Sequence, residues 1–202
     1  MADSPTSKVP PPLTADTTYL FICDVQERFR RAIPHFPSVV FAASYLFDAA
    51  ALLSIPTLIT EQYPKALGHT VEELPLPAPG ATVVEKTAFS MLAPPPTLAA
   101  LAAAPARRSV VLVGIEAHIC IAQTAAGLLR RGYAVHVVVD GVASQRDADR
   151  GVALARLRDA GAVVTTAEAV LFELLGDKGH PQFKAASGIV KRERPVGGIT
   201  GL

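Results

Sequence analysis

Three residues far apart in the chain carry groups that together make a nucleophilic catalyst: Cys120, Asp24 and Lys86. Cys120 stands where the apolar run VVLVGI (110–115) gives way to the helix-like ICIAQTAAGLLRR (119–131). A thiol at the first turn of a helix feels the positive end of its dipole, which favours the thiolate. Asp24 ends the apolar run TTYLFICD (17–24) and Lys86 ends ATVVEK (81–86). A carboxylate beside the thiol can take its proton and hand it to a leaving amine, while an ammonium holds that carboxylate charged and stabilises the thiolate. Backbone N–H groups at the same helix start would form an oxyanion hole for acyl transfer, and Gly114 keeps the corner permissive.

The elements that must bring these groups together are legible in the hydropathy pattern. Apolar runs at 17–24, 55–62, 81–86, 108–115, 134–140 and 162–166 read as six strands. A helix is expected over 38–53, with apolar residues at Val39, Ala43, Leu46, Ala50 and Leu53 and Ser38 as its N-cap. Another follows SQRD, where Ser144 and Asp147 have the spacing of a capping box and Gly161 closes the helix. AEAVLFELLG (167–176) reads as a further helix. Strands alternating with helices mean right-handed βαβ crossovers and a doubly wound, largely parallel α/β sheet. Ligands of such sheets sit at the carboxyl ends of the strands. The residues found there are Asp24, Glu61, Gln62, Glu85, Lys86, Gly114 to Cys120 and Asp140.

Composition narrows the partners. Nineteen Lys and Arg against 18 Asp and Glu give a net charge of +1 with no basic block, so no nucleic acid and no anionic membrane is expected. No apolar run approaches the ~20 residues of a spanning helix, and MADSPTSKVPPPLTAD has neither an apolar signal core nor an Arg-rich pattern. The expected location is cytoplasmic, with a mitochondrial one left open. Two cysteines make no disulfide framework and no Cys or His pair has zinc spacing. Domain limits fall at 1–16, a flexible arm, at 17–190, the folded domain, and at 191–202, a flexible tail. Each chemical residue also has an ordinary reading. A cysteine flanked by apolar residues is more often a packed hydrophobe, and Cys23, next to Asp24 on a strand, should point to the opposite face. Strand-end acids often serve turns, and a lone lysine is usually solvated. The convergence of three segments at one rim favours chemistry.

The sequence resembles the isochorismatase-like cysteine hydrolases, a family that includes nicotinamidases and N-carbamoylsarcosine amidohydrolases. The likeness spans about residues 19–175 and rests on FICDVQERF, TEQYPKALG, VEKTAFSM, VGIEAHICIAQTA and VVVDGVASQ in the family's order. It implies a three-layer α/β/α fold, strand order 3-2-1-4-5-6, and an Asp24, Lys86, Cys120 triad. It also implies a cis peptide between Ile115 and Glu116 that would aim the N–H groups of Ala117 and Cys120 at one point. Departures matter too: VQERF and EQYPKALG lack the histidines through which nicotinamidases hold a metal, so neither metal nor other cofactor is inherited. Cys120 argues against true isochorismatase activity, which is similar in frame but lacks the cysteine. Phe29, Gln62, Tyr63 and His118 are the candidate pocket residues, although a histidine at a helix start is often structural.

The expected function is hydrolysis of a small amide, carbamoyl or related acyl substrate through a thioester, in a homo-oligomer of two or more copies. An oligomeric scaffold with a vestigial site is the alternative from another class. A ribonuclease is a third reading, disfavoured by the lack of a basic stripe and of paired histidines.

Overall fold

The computed structural model describes residues 11–196 together with 198 and 199. Six parallel strands form one sheet in the order β3-β2-β1-β4-β5-β6. They are β1 (Thr18–Cys23), β2 (Thr57–Gln62), β3 (Ala81–Lys86), β4 (Ser109–Ile115), β5 (Ala134–Ala143) and β6 (Val163–Thr165). The helices are α1 (Phe36–Leu52), α2 (Pro64–Leu67), α3 (Pro95–Ala103), α4 (Ala122–Arg130), α5 (Asp147–Asp159), α6 (Ala167–Leu175) and α7 (Phe183–Val190). Strand order reverses between β1 and β4, which pair from Thr18 with Ser109 to Cys23 with Gly114.

Period-two alternation divides the apolar strand residues between two cores. Leu20, Ile22, Val111 and Val113 pack under α1, α6 and α7, whereas Tyr19, Phe21, Cys23, Val110 and Leu112 pack with Leu101 of α3, Leu128 of α4 and Leu154 and Leu157 of α5. Burial on both faces explains why these strands read as continuous apolar runs.

Several boundaries differ from the sequence expectation. Helix α1 starts two residues early, at Phe36 with Pro37 in its first turn, a position that suits the fixed φ of proline. Ser38 is therefore inside the helix rather than its cap, and no side chain caps that end. Ser144 does not cap α5, which begins after Arg146 without a side-chain cap; its hydroxyl lies 3.0 Å from His118 Nδ1 instead. Strand β5 continues past Asp140 to Ala143, so Asp140 does not end it; the Asp140 carboxylate accepts the Ala167 N–H at 2.9 Å at the start of α6. Arg150 secures this extension by donating to the carbonyls of Val142 and Val139 at 2.9 and 2.5 Å. Gly161 does follow α5 with φ +98°.

Residues 1–10, 197 and 200–202 of the expected arm and tail lie outside the described residues. Of the rest, Leu13 is buried in the α1-side core. Beyond α7, Arg192 pairs with Asp48, and Arg194 with Glu168 and Asp140.

One buried group makes the fold sensitive to acid. His136 of β5 is 1% exposed, and neither ring nitrogen has a hydrogen-bond partner among the described residues. Burial lowers its pKa, a pull only partly offset by Glu173. Above about pH 6.5 the folded and unfolded chains both hold this ring neutral. Below it the unfolded chain takes up a proton that the folded chain refuses, so stability falls with pH until the depressed folded pKa is reached, by at most about 1.4 kcal/mol per pH unit. Urea titrations at stepped pH should show this decline in the wild type and a shallower one in His136→Leu. An equal slope in both would refute it.

Candidate active site

The site is built where β1, β2, β3 and the turn after β4 converge. β1 ends at Cys23, and Asp24 adopts φ +54°, a left-handed conformation uncommon outside glycine, with Asp and Asn the usual exceptions. That reversal breaks the alternation of the strand. Both Cys23 and Asp24 therefore face the same small space, contrary to the expectation that only one of them could: Cys23 Sγ lies 3.5 Å from Asp24 Oδ2. The other carboxylate oxygen, Oδ1, accepts from Thr60 Oγ1 at 2.8 Å.

Lys86 reaches this carboxylate from the end of β3. Its Nζ donates to Asp24 Oδ2 at 2.7 Å, Gln62 Oε1 at 2.7 Å and the Ala88 carbonyl at 3.2 Å, and lies 3.8 Å from Cys120 Sγ. The paired side chains are 1% and 2% exposed. Burial pulls the Lys86 pKa down, but the surrounding acidic groups Cys23, Asp24 and Cys120 and the Asp24 hydrogen bond outweigh it and hold the pKa above the usual lysine value. Burial foremost, then a hydrogen bond with Cys120 and the Asp24 charge, push the Cys23 thiol well above its ordinary range.

Cys120 comes from a wide turn, Ala117–Ile121, wound with one more residue per hydrogen-bonded loop than an α-helix. Such π-type turns recur at functional sites because they displace a side chain from helical register. The turn thus replaces the first part of the helix expected from about Ile119, and α4 proper starts at Ala122. The Ile115–Glu116 peptide is cis. The Glu116 carbonyl accepts from Ile119 and Ile121 at 3.1 and 3.2 Å, bonds that involve neither the Ala117 nor the Cys120 N–H. Glu116 Oε2 accepts the Gln145 N–H at 2.9 Å and ties the turn to the β5–α5 connection. Gly114 precedes it with φ +124°, and a Cβ there would stand 2.1 Å from the Cys23 carbonyl oxygen. Only glycine lets β4 approach β1 so closely.

Asp24, Lys86 and Cys120 are thus brought together, and the candidate pocket residues are placed differently. Gln62 is a strut: its Oε1 receives Lys86 while its Nε2 donates to the Thr87 carbonyl at 2.8 Å. Tyr63, at φ +37°, is 52% exposed beside it. Phe29 packs against the α1-side core. His118 is partly exposed, its Nε2 3.9 Å from Asp149 Oδ2, and borders an open hollow of about 630 Å³ with Ser90, Gln123 and Arg130. Glu61, also at a strand end, has its carboxylate engaged by the Thr70 N–H and hydroxyl at 2.7 and 2.8 Å and by His69 at 3.0 Å. Burial works to raise its pKa, but these bonds prevail and lower it.

Two supporting residues escaped the sequence reading. Thr60 holds Asp24, and the fully buried Gln26 clasps the loop ends, donating to the Gln62 and Gly68 carbonyls at 3.1 and 2.6 Å and accepting the Gln62 N–H at 2.7 Å. A glutamine two residues after a strand-end acid and followed by Glu27 and Arg28 carries little signal in the sequence. Cys23, Asp24 and Cys120 offer ligand atoms within 4.8 Å of one another, a spacing that would suit a soft metal. The Lys86 ammonium already holds the cation position against Asp24 and Cys120, so the trio fits an internal ammonium better.

The model of the isochorismatase domain matches residues 18–169. The chain belongs to the isochorismatase domain family. Isochorismatase domain-containing protein 2 of Macaca fascicularis is 46% identical over 92% of this chain and 89% of its own length. Isochorismatase domain-containing protein 1 of Salmo salar is 48% identical over 91% of this chain, which spans only 64% of that relative's length. Among solved structures, the MAR1 ribonuclease from Caenorhabditis elegans superposes with a TM-score of 0.86 at 43% identity, covering 95% of this chain and 98% of that one. The six-stranded sheet is the isochorismatase-family fold. No helix among the described residues is long and apolar enough to cross a membrane.

Proposed function

We propose that this isochorismatase-family protein is a cysteine hydrolase that opens a small amide, carbamoyl or related acyl substrate through a thioester on Cys120. Family membership supports the hydrolase part of this reading. The observation that carries the rest is the buried ammonium of Lys86, 2.7 Å from a carboxylate and 3.8 Å from a thiol. Burying a charged pair is a poor way to gain stability, so a scaffold has little use for this one. An acyl-transfer site uses every part of it. Asp24 takes the Cys120 proton and the sulfur attacks the carbonyl carbon. The tetrahedral oxyanion is held by N–H groups of the turn at Ala117 and Cys120. Asp24 then protonates the leaving amine, the thioester forms, and water activated by the same carboxylate releases the acid. Lys86 keeps Asp24 oriented throughout.

The name of the Caenorhabditis elegans neighbour raises RNA as a substrate. The chemistry of the trio is acyl chemistry rather than phosphodiester chemistry, and a net charge of +1 over 202 residues supplies no electrostatic track for a polyanion. The test is a panel of primary amides and carbamoyl compounds, with RNA included, scored by ammonia and by fragment release. Wild type should release ammonia or amine from at least one small compound and Cys120→Ala from none. Equal turnover by Cys120→Ala, or RNA cleavage as the single activity, would overturn the reading.

A further inference from the structure

The proposed reaction uses one of the two cysteines at the site and leaves the other beside it. Cys23 Sγ is within 4.8 Å of Cys120 Sγ and 3.5 Å from Asp24 Oδ2. It is fully buried, whereas Cys120 retains 7% exposure. The two thiols reach this spot from different segments, one at the end of β1 and one in the wide turn after β4. The backbone brings them there through the Cys23–Gly114 pairing. A second thiol at this distance from a nucleophilic thiol is a resolving group in waiting.

We propose that Cys23 and Cys120 form an oxidative modification site, in which a hydroperoxide oxidises Cys120 and Cys23 closes an intramolecular disulfide on it. This rests on Cys120 reacting as a nucleophile. Asp24 takes the Cys120 proton, the Cys120 sulfur attacks one peroxide oxygen, the O–O bond breaks, and the departing hydroxide receives that proton from Asp24 and leaves as water. Cys120 is then a sulfenic acid. The Cys23 sulfur attacks the Cys120 sulfur, Asp24 receives the Cys23 proton along their existing contact and passes it to the hydroxide that departs as the S–O bond breaks, giving a second water. Two thiols and one hydrogen peroxide thus become one disulfide and two waters. The order of events follows from the different settings of the two thiols. Cys120 is the one a small oxidant can reach, while Cys23 is sealed and held as a thiol. The disulfide silences the nucleophile reversibly and spares it from sulfinic acid, which thiols do not reverse.

Full-length protein is treated with hydrogen peroxide, alkylated with iodoacetamide in denaturant, digested and analysed by mass spectrometry, with untreated native protein alkylated in parallel. In the wild type the Cys23 and Cys120 peptides should appear joined within one chain, and dithiothreitol should return both as free thiols. In Cys23→Ala, Cys120 should instead advance to sulfinic acid and resist dithiothreitol. Sulfinic Cys120 in the wild type with Cys23 still free, or disulfides that join separate chains, would overturn the proposal. If native Cys120 takes up iodoacetamide but peroxide yields no Cys23–Cys120 peptide, the disulfide proposal fails and the nucleophile stands. If Cys120 resists both reagents, both fail. The wild-type peptide pattern decides the matter even if Cys23→Ala folds poorly.

Discussion

Lys86→Met should lower the unfolding free energy by about 3–5 kcal/mol, the usual penalty for leaving one member of a buried ion pair alone. The Asp24 carboxylate would keep Thr60 Oγ1 and lose the ammonium at 2.7 Å, in a place where it is 1% exposed and cannot recruit bulk water instead. Gln62 would lose the partner of its Oε1 at the same time. The effect on the reaction should be separate and also large. Without the ammonium nothing balances a thiolate forming beside Asp24, and turnover should drop by about 10²–10³, the range found when one electrostatic stabiliser is removed. Asp24→Asn combined with Lys86→Met tells the two effects apart. It removes the stranded charge, so much of the stability should return while turnover stays lost. Urea denaturation of the single and double variants checks the first part. A single variant as stable as wild type would mean that the pair is not charged in the folded chain.

Gly114→Ala should be as damaging, through the backbone rather than through charge. The position has φ +124°, which an alanine adopts at a cost of about 1–3 kcal/mol. Its Cβ would also stand 2.1 Å from the Cys23 oxygen and 2.7 Å from the Cys23 nitrogen. Neither atom belongs to a flexible side chain, so β4 must separate from β1, with overpacking of about 1–3 kcal/mol or more. The combined loss belongs among the few single substitutions above about 4 kcal/mol. Any folded remainder should show slower Cys120 alkylation, because the wide turn is carried on the displaced end of β4. Gly151→Ala is the matched control: it lies inside α5 with nothing within 4 Å of the added Cβ, and should gain up to about 1 kcal/mol from helix propensity. Thermal melts of the two variants side by side read both expectations. Equal melting temperatures would show that the β1–β4 approach is slack.

The strand ends were the most legible part of the molecule. β1 and β4 lie within the apolar runs 17–24 and 108–115 and are buried along their whole length, and strands buried on both faces leave a plain signal in the residues themselves. Asp24, Lys86 and Cys120 could be collected because a parallel sheet forces all its carboxyl ends to one rim. Local backbone reversals were hidden. Nothing in FICDV announces that Asp24 turns left-handed, and that one dihedral is what brings Asp24 to the face that Cys23 already lines. From Ile119 onward the residues suit an α-helix as well as the wide turn of 117–121, so the sequence places the helix start there rather than at Ala122. Ser144 had the spacing of a cap, but its hydroxyl is engaged by His118, a residue 26 positions away that no local rule can see. Gln62 shows the same limit. Its place at the rim was readable, its service to Lys86 was not, since that depends on the β2–β3 register that sets Gln62 opposite Lys86.

The central claim is that Cys120, with Asp24 and Lys86, forms a covalent acyl intermediate. Its most direct test is the intact mass of the protein quenched in acid during turnover of whichever small amide or carbamoyl compound proves active, followed by peptide mapping. An added acyl group should be found on Cys120, removed by hydroxylamine as a thioester is, and absent from Cys120→Ala. An acyl group on Cys23 or on another side chain, or steady turnover by Cys120→Ala, would contradict it.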